Sequence, residues 1–177
     1  SGCALLSGTT GLSEYQIMRM HQLRYDTRIM YASNYSLGIA LMLAIVRWVT
    51  PYVREDFDLE IIEAHHAKKQ DAPSGTAIRL MQAMQKEESD IQGCKYNPDQ
   101  KGDIGIHVIR GGSLPGEHTV LYLGDQETLQ ITHTAYSRKL FVNGAMKAAR
   151  WLMKQESGCY RIEDMMGGYI HGNTGDD

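Results

Sequence analysis

The sequence predicts an α+β fold in which helices pack on a β-sheet. Three segments between residues 105 and 135 have the runs or alternation of apolar side chains that strands show, and turn residues separate them. Other segments, such as residues 141–152, repeat apolar side chains every three or four positions, as helices do. With 177 residues, 42% of them hydrophobic, the chain can bury one good core and part of a second.

The first third of the chain predicts two helices and a short strand. Residues 12–24 have helical periodicity, and Ser13 is placed to cap that helix. Residues 28–32 predict a short buried strand. Residues 36–50 predict a second helix, which begins at a serine cap and which Pro51 should end. This second helix is apolar on almost every side, so we expect it to be buried between domains.

The middle of the chain predicts a strand, a turn and a helix. Residues 57–62 are rich in apolar side chains and read as a strand. Asp71–Gly75 forms the turn, and a helix follows from Ser74 to about Glu88. Residues 89–101 are rich in Asp, Gly, Asn and Pro, which predicts a loop.

The last third predicts three strands and a helix that packs on them. Gly124 and Asp125 mark a hairpin turn between the second and third strands. Phe141, Ala145 and Leu152 fall on one face of the helix. We expect a mobile tail, because its Gly, Asn and Asp residues have little to bury. The predicted segments are strands 105–110, 117–123 and 128–135, helix 138–154 and tail 167–177.

Composition excludes several classes of protein. The chain has 18 Lys and Arg against 21 Asp and Glu, for a net charge of −3, and no basic cluster that would attract nucleic acid. The longest apolar run, residues 37–46, is too short to cross a membrane. Cys3, Cys94 and Cys159 are odd in number and have no metal-ligand spacing, which predicts free thiols in the reducing cytoplasm.

Residues 63–77 are the segment richest in chemistry. His65, His66 and Lys69 follow the predicted strand, and the helix expected from Ser74 begins a few residues later. The first N–H groups of a helix have no intrahelical acceptor and lie at the positive end of its dipole, so they hold carboxylates or phosphates well. This segment therefore predicts a site for a dianionic small molecule, with backbone donors at Gly75, Thr76 and Ala77.

Structural roles compete with the functional ones. A metal pair of His65 and His66 is not expected, because neighbours on a strand point to opposite faces and no further ligand stands at metal spacing. A single histidine is more often a hydrogen-bonded structural residue, and the strand patterns alone make His118 and His133 packing residues. Lys68 reads as a surface charge.

The order of residues 63–77, Glu-Ala-His-His-x-x-Lys-x-Asp-Ala-Pro-Ser-Gly-Thr-Ala, closely resembles the signature of the dihydrodipicolinate reductase family. Further blocks resemble the family in the family's order, so the resemblance runs from about Leu6 to Leu152. They are Gly8-Thr9-Thr10-Gly11, Ala32-Ser33-Asn34-Tyr35-Ser36-Leu37-Gly38, Arg110-Gly111-Gly112 with Gly116-Glu117-His118, and 133–138 with 141–145.

The resemblance implies an activity and a set of roles. It implies NADPH- or NADH-dependent reduction of 4-hydroxy-tetrahydrodipicolinate in the diaminopimelate route to lysine. By analogy, His65 is the proton donor or acceptor and Lys69 the proton donor. The implied substrate contacts are His66, Gly75 and Thr76, and the implied cofactor contacts are Gly8, Thr9, Thr10, Ala32, Ser33, Asn34 and Tyr35. Tyr35 stands where the family usually has phenylalanine.

The resemblance also implies an architecture. It implies that residues 1–35 are the remnant of a Rossmann-type nucleotide-binding domain. Residues 36–155 would form the substrate-binding domain, a mixed open sheet that assembles into a homotetramer, and 156–177 a C-terminal segment. The family's Gly-rich pyrophosphate turn does not occur in these residues. We therefore expect a fragment or a shortened homologue with weak NAD(P)H binding and little turnover, or a non-catalytic dicarboxylate-binding or scaffold relative.

Overall fold

The computed structural model describes residues 3–9, 12–85, 94–95 and 103–169. It divides into two compact units, one made of residues 1–40 with 139–177 and the other of residues 41–138. Predictions for Thr10, for most of the loop 89–101 and for most of the tail lie outside the described residues. The helix predicted from Ser74 to about Glu88 ends earlier, at Met84.

The predicted α+β class is confirmed. In chain order the elements are β1 (Leu5–Ser7), α1 (Glu14–Gln22), β2 (Arg28–Tyr31), α2 (Leu37–Val53), β3 (Asp58–His65), α3 (Gly75–Met84), β4 (Cys94–Lys95), β5 (Ile104–Arg110), β6 (Gly116–Leu123), β7 (Thr128–Ala135), α4 (Lys139–Leu152) and β8 (Gly158–Tyr160). Short 3₁₀ helices cover Leu23–Tyr25 and Ile162–Tyr169. The sequence pattern did not predict β4 or β8, which are only two and three residues long.

The first unit is built on a small parallel sheet with the strand order β1-β2-β8. Helix α4 packs against β1 and β2. It was predicted to pack on the strands between residues 105 and 135, which belong to the other unit. Gly144 of α4 lies so close to the carbonyl oxygen of Tyr35 that a methyl group would not fit there. The core residues of this unit are Met30, Ala32, Tyr35, Ala40, Ala148, Leu152 and Ile162. Residues 139–155 therefore pack with the unit that contains β1 and β2, whereas the predicted domain limits placed them with residues 36–138.

The second unit is built on a five-stranded mixed sheet with the order β4-β5-β3-β6-β7. Strands β4, β5 and β3 are parallel, and β6 and β7 are antiparallel to their neighbours. Helix α3 packs on β3, β5 and β6. The face it covers, which we call the inner face, carries Leu59, Ile61, Val120 and Tyr122 among its fully buried residues. The hairpin predicted at Gly124 is confirmed by a hydrogen bond from its N–H to the carbonyl of Glu127.

Helix α2 departs from its prediction in two ways. The Ser36 cap is confirmed, since its Oγ accepts a hydrogen bond from the N–H of Ile39. The prediction that Pro51 ends the helix is wrong, because α2 continues to Val53. Pro51 lies in the last turn, where a proline removes one hydrogen bond without disturbing a long segment beyond it.

Burial of α2 on every side is not observed either. Leu41, Ile45, Trp48 and Tyr52 are 46%, 36%, 68% and 75% exposed. They follow one another at intervals of four, three and four residues, so they form one apolar stripe along the helix. No helix within the described ranges has both the length and the apolar character that crossing a membrane requires.

Candidate active site

The pleat and register of the five-stranded sheet bring four ionisable side chains together. Alternate residues of a strand share a face, so Glu63 and His65 both lie on the inner face. The register pairs Glu63 with His118 on β6 and His65 with Arg110 on β5. These four side chains therefore converge near the end of β3. His66 follows the last residue of the strand and is not part of this cluster.

Glu63 is the centre of the cluster and is fully buried. Its Oε1 accepts hydrogen bonds from the N–H of Ser74 at 2.9 Å and from Arg110 Nη2 at 2.8 Å. Its Oε2 lies 3.2 Å from His65 Nδ1 and 3.7 Å from His118 Nε2. Both Oε2 and His65 Nδ1 are buried, and neither makes a hydrogen bond within the described part of the chain, because their own 3.2 Å contact lacks hydrogen-bond geometry. One oxygen is thus held by two donors, and the other faces two imidazoles.

Burial and neighbouring charges set the protonation states of the cluster. Burial raises the pKa of Glu63, but hydrogen bonds from Ser74 and Arg110 outweigh it, so this carboxylate is ionised at neutral pH. Burial lowers the pKa of His65; Glu63 opposes that effect, while Lys69 and Arg110 add to it. Burial lowers the pKa of His118 to about 3. Both imidazoles are therefore neutral at pH 7.

The start of α3 borders this cluster, as predicted. Ser74 is its N-cap, and its Oγ accepts a hydrogen bond from the N–H of Ala77 at 3.2 Å. The same oxygen lies 3.1 Å from His118 Nε2. A Cβ placed on Gly75 would meet no atom within 4 Å, so the space beside this first helical residue is open. The positive end of the α3 dipole thus faces room for an anion.

Two further predicted residues already have polar partners. Lys69 Nζ lies 2.7 and 2.8 Å from the two carboxylate oxygens of Asp71. This ion pair lowers the pKa of Asp71. His66 Nε2 accepts a hydrogen bond from Arg138 Nη2 at 3.0 Å. The loop after β3 therefore carries a lysine and a histidine whose partners can be exchanged for a ligand.

The predicted cofactor residues lie in the other unit. Gly8 and Thr9 follow β1, and Ala32–Tyr35 follows β2. Because the two strands are parallel neighbours, both segments lie at the carboxyl edge of their sheet, where α/β folds bind nucleotides. Gly8, Thr9 and Ser33 are exposed there.

Tyr35 differs from the rest of this group, because its side chain packs in the core of the unit. Its hydroxyl donates to the carbonyl oxygen of Ser7 at 2.8 Å, and burial raises its pKa to about 12. A Cβ on Gly8 would lie 3.3 Å from the ring, so Tyr35 packs against the backbone at Gly8. Its side chain is a packing group rather than an exposed contact.

Glu63, His65 and His118 also form a set of the kind that binds metals, with donor atoms all within 4.8 Å of one another. Zinc sites often use two histidines and one carboxylate. Here the Arg110 guanidinium bonds the same carboxylate, and its positive charge opposes a divalent cation at this point. The sequence interpretation had considered only the pair His65 and His66, which is not the pair that the sheet assembles.

The sequence interpretation missed three members of the cluster. Glu63 was noted only as part of the signature, His118 as a packing residue, and Arg110 as part of a glycine block. The alternation of β3 was a usable signal for Glu63, since it shares a face with His65. No signal within a single segment reveals the register that places His118 and Arg110 beside it.

Comparison with known proteins identifies the family. The family model described as dihydrodipicolinate reductase, C-terminus, matches residues 38–166. The chain belongs to this family. It is 44% identical over 171 residues to the 4-hydroxy-tetrahydrodipicolinate reductase of Nitratiruptor sp., covering 92% of this chain and 67% of that protein. With its counterpart from Methanosarcina acetivorans it shares 40% identity over 177 residues, 94% of this chain and 66% of that protein.

A solved structure of the family supports the fold. The dipicolinate-bound dihydrodipicolinate reductase from Paenisporosarcina sp. TG-14 matches with a TM-score of 0.70 and 26% identity, over 92% of this chain and 64% of that one. The resemblance found in the sequence is thereby confirmed, as is the mixed sheet with helices. The chain spans about two thirds of the length of these relatives.

Proposed function

We propose that this chain carries the substrate-binding and proton-transfer site of a 4-hydroxy-tetrahydrodipicolinate reductase. The observation that carries the proposal is the convergence, at one end of the sheet, of His65, Lys69 and the start of α3. The similar proteins from Nitratiruptor and Methanosarcina are named as reductases of this kind. Their substrate is a dicarboxylate, which needs two groups of donors held apart. The site offers an ammonium group and a helix N-terminus for that purpose.

The proposed roles follow from charge and position. Lys69 brings an ammonium group to the site, so it binds a substrate carboxylate and delivers the proton to the ring nitrogen. His65 is neutral at pH 7 and serves as a proton acceptor or relay beside it. Backbone N–H groups of Gly75 and Thr76 hold the second carboxylate, and His66 with Arg138 closes the rim. Protonation of the ring nitrogen makes the adjacent carbon a better hydride acceptor.

NADPH or NADH would supply the hydride when bound. The residues at the carboxyl edge of the first unit fit such a ligand, because Gly8, Thr9 and Ser33 expose backbone and hydroxyl donors there, with Ala32 and Asn34 beside them. We include Thr10 by sequence analogy. Tyr35 contributes by packing against the backbone at Ser7 and Gly8.

We further propose a cytoplasmic homotetramer. The free, exposed thiols of Cys3 and Cys159 suit a reducing compartment. The face of the five-stranded sheet opposite α3 carries the half-exposed Ile109, and family resemblance implies that such sheets pack between subunits.

Dicarboxylate binding is the direct test. Dipicolinate (pyridine-2,6-dicarboxylate), which the solved relative from Paenisporosarcina holds, should bind the chain in a calorimetric titration. Lys69→Ala should weaken binding about tenfold or more, since a hydrogen bond to a charged group contributes roughly 1.5–3 kcal/mol. The matched control is Lys68→Ala, which removes an exposed lysine of the same loop and should leave affinity unchanged. Equal affinity in the Lys69 variant and the parent chain would refute the proposed site.

A further inference from the structure

The unsatisfied oxygen of Glu63 needs a proton donor. This carboxylate is buried, and Oε1 already accepts from Ser74 and Arg110. Oε2 lies 3.2 Å from His65 Nδ1 and 3.7 Å from His118 Nε2, and the Ser74 side chain is also close enough to the carboxylate to lower its pKa. A buried carboxylate oxygen without a donor is costly, so one of the two imidazoles should direct an N–H at it.

His118 is the weaker candidate for that donor. Its Nε2 lies 3.1 Å from Ser74 Oγ, a normal hydrogen-bond distance, whereas 3.7 Å to Glu63 is too long. Ser74 Oγ already accepts from the N–H of Ala77, and its hydroxyl proton can be donated to His118 Nε2. With His118 neutral, its proton then belongs on Nδ1, which is buried and has no hydrogen-bond partner among the described residues.

His65 is placed to be the donor. Its Nδ1 is the imidazole nitrogen nearest to Glu63 Oε2. Its Nε2 lies beside Gly116, where an added Cβ would approach to 3.0 Å, so a larger residue at this position would press on that nitrogen. The two ring nitrogens therefore have different surroundings, one facing a carboxylate and the other a residue without a side chain.

We propose that Glu63 is the positioning residue of His65: it accepts the Nδ1 proton, fixes the ring, and leaves Nε2 as the unprotonated nitrogen that faces the reaction. This inference deepens the proposed function and rests on it. Glu63 touches no substrate in this scheme and acts through His65. Arg110 on β5 and Ser74 at the start of α3 hold the Glu63 carboxylate in turn. They therefore help to orient the reacting nitrogen of His65 through Glu63.

Other charges around His65 are compatible with this role. Lys69 and Arg110 disfavour a second proton on the ring, while Glu63 and Asp71 favour it. The His118 ring meets His65 edge to face, with centroids 5.1 Å apart. Loss of the Glu63 charge should therefore lower the pKa of His65 as well as change its tautomer.

The tautomer can be read from two-bond ¹H–¹⁵N correlation spectra of the histidine side chains at pH 7.5, without ligand. His65 of the parent chain, assigned from the signals lost in His65→Asn, should show a protonated Nδ1 and an unprotonated Nε2. In Glu63→Gln, the amide oxygen can keep the Ser74 and Arg110 bonds, and its NH₂ group then occupies the place of Oε2. Nδ1 must now accept, so the tautomer should reverse, and the pKa of His65 should fall because the negative charge of Glu63 is lost.

Glu60→Gln is the matched control, because Glu60 lies on the opposite face of β3 and pairs with His107 at 2.8 Å. It should move the His107 signals and leave those of His65 in place. An Nε2-protonated His65 in the parent chain, or the same tautomer in Glu63→Gln, would overturn the proposal. Should Glu63→Gln not fold, the parent spectrum alone still decides. Dicarboxylate binding is measured separately, so failure of the proposed function is distinguishable from failure of this inference.

Discussion

Neutral histidines buried beside a fixed carboxylate make the site sensitive to acid. A buried group that resists protonation in the folded state takes up a proton freely once the chain unfolds. For His118, the pKa is about 3 in the folded protein against an ordinary 6.5. The proton therefore binds to the unfolded chain between these values, and stability falls as pH falls through this window.

We expect His118 to make unfolding strongly dependent on pH. Below pH 6.5 it should cost about 1.4 kcal/mol of stability per pH unit, in addition to the smaller effect of His65. Glu63 does not interfere above pH 4.5, because its depressed pKa removes stability only below that value. Urea unfolding at pH 7 and pH 5 measures the slope. His118→Gln should flatten it, and an unchanged slope in this variant would contradict the assigned protonation states.

A methyl group added at Gly75 should weaken ligand binding without reducing stability. A Cβ at this position meets nothing within 4 Å, and alanine is a better helix former than glycine, so Gly75→Ala should fold with equal or slightly higher stability. The same methyl group would stand where a carboxylate approaches the first N–H groups of α3. Calorimetry should therefore show weaker binding of pyridine-2,6-dicarboxylate with an unchanged unfolding midpoint. Unchanged affinity would place the anion elsewhere.

At the scale of the element, two serine caps of equal chemistry have different surroundings. Ser13 caps α1 on the surface through a reciprocal hydrogen-bond pair with Gln16. Ser74 caps α3 while buried, and its hydroxyl also meets His118. Removing a cap costs about 1 kcal/mol, and leaving a buried imidazole nitrogen without a partner adds roughly 1–3 kcal/mol.

Ser74→Ala should therefore destabilise the protein more than Ser13→Ala. We expect a loss of about 1 kcal/mol for Ser13→Ala and about 2–4 kcal/mol for Ser74→Ala. Urea unfolding followed by circular dichroism at pH 7 compares the two variants in one experiment. Equal losses would show that the contact between Ser74 and His118 contributes nothing to stability.

The elements that sequence patterns predicted are those whose signals are local. Caps, turn residues and periodicity identified α1, α3 and the strands β3, β5, β6 and β7 within a few residues of their ends. The end of α2 was predicted wrongly, because a proline in the last turn removes one hydrogen bond and leaves the rest of the helix intact. On β7 the predicted apolar alternation is present, yet Leu129 is 42% exposed, because this strand lies at the edge of the sheet.

The residues of the site were also predicted only where the signal is local. His65, Lys69 and the start of α3 stand within a dozen residues, so their proximity followed from the chain itself. Arg110 and His118 join them only through pairing with β3 across more than 40 residues of sequence. Register of this kind depends on packing and turn geometry rather than on any single segment. The alternation of β3 could have placed Glu63 on the same face as His65. It could not have shown that Glu63 is fully buried.

At the scale of the whole molecule, one face of the five-stranded sheet lacks a helical cover among the described residues. Alternation places Ile62, Ile109 and Leu121 on the face opposite α3, together with a ladder in which Thr119 and Thr132 share a hydrogen bond of 3.0 Å. Side chains in such a ladder can pair with those of a second sheet without a large desolvation cost. This face is the natural surface for the proposed assembly.

We expect sedimentation velocity at micromolar concentration to show a homotetramer whose contacts include this sheet face. Ile109 is 54% exposed, and Ile109→Glu would repeat a buried charge in every subunit of a symmetric interface, so it should shift the protein to smaller species. Met153 is also 54% exposed but belongs to the other unit, and Met153→Glu is the matched control that should leave the assembly intact. Each variant needs an unchanged circular dichroism spectrum to be informative. A parent chain that sediments only as a monomer would refute the tetramer, and a tetramer that survives Ile109→Glu would move the interface to another surface.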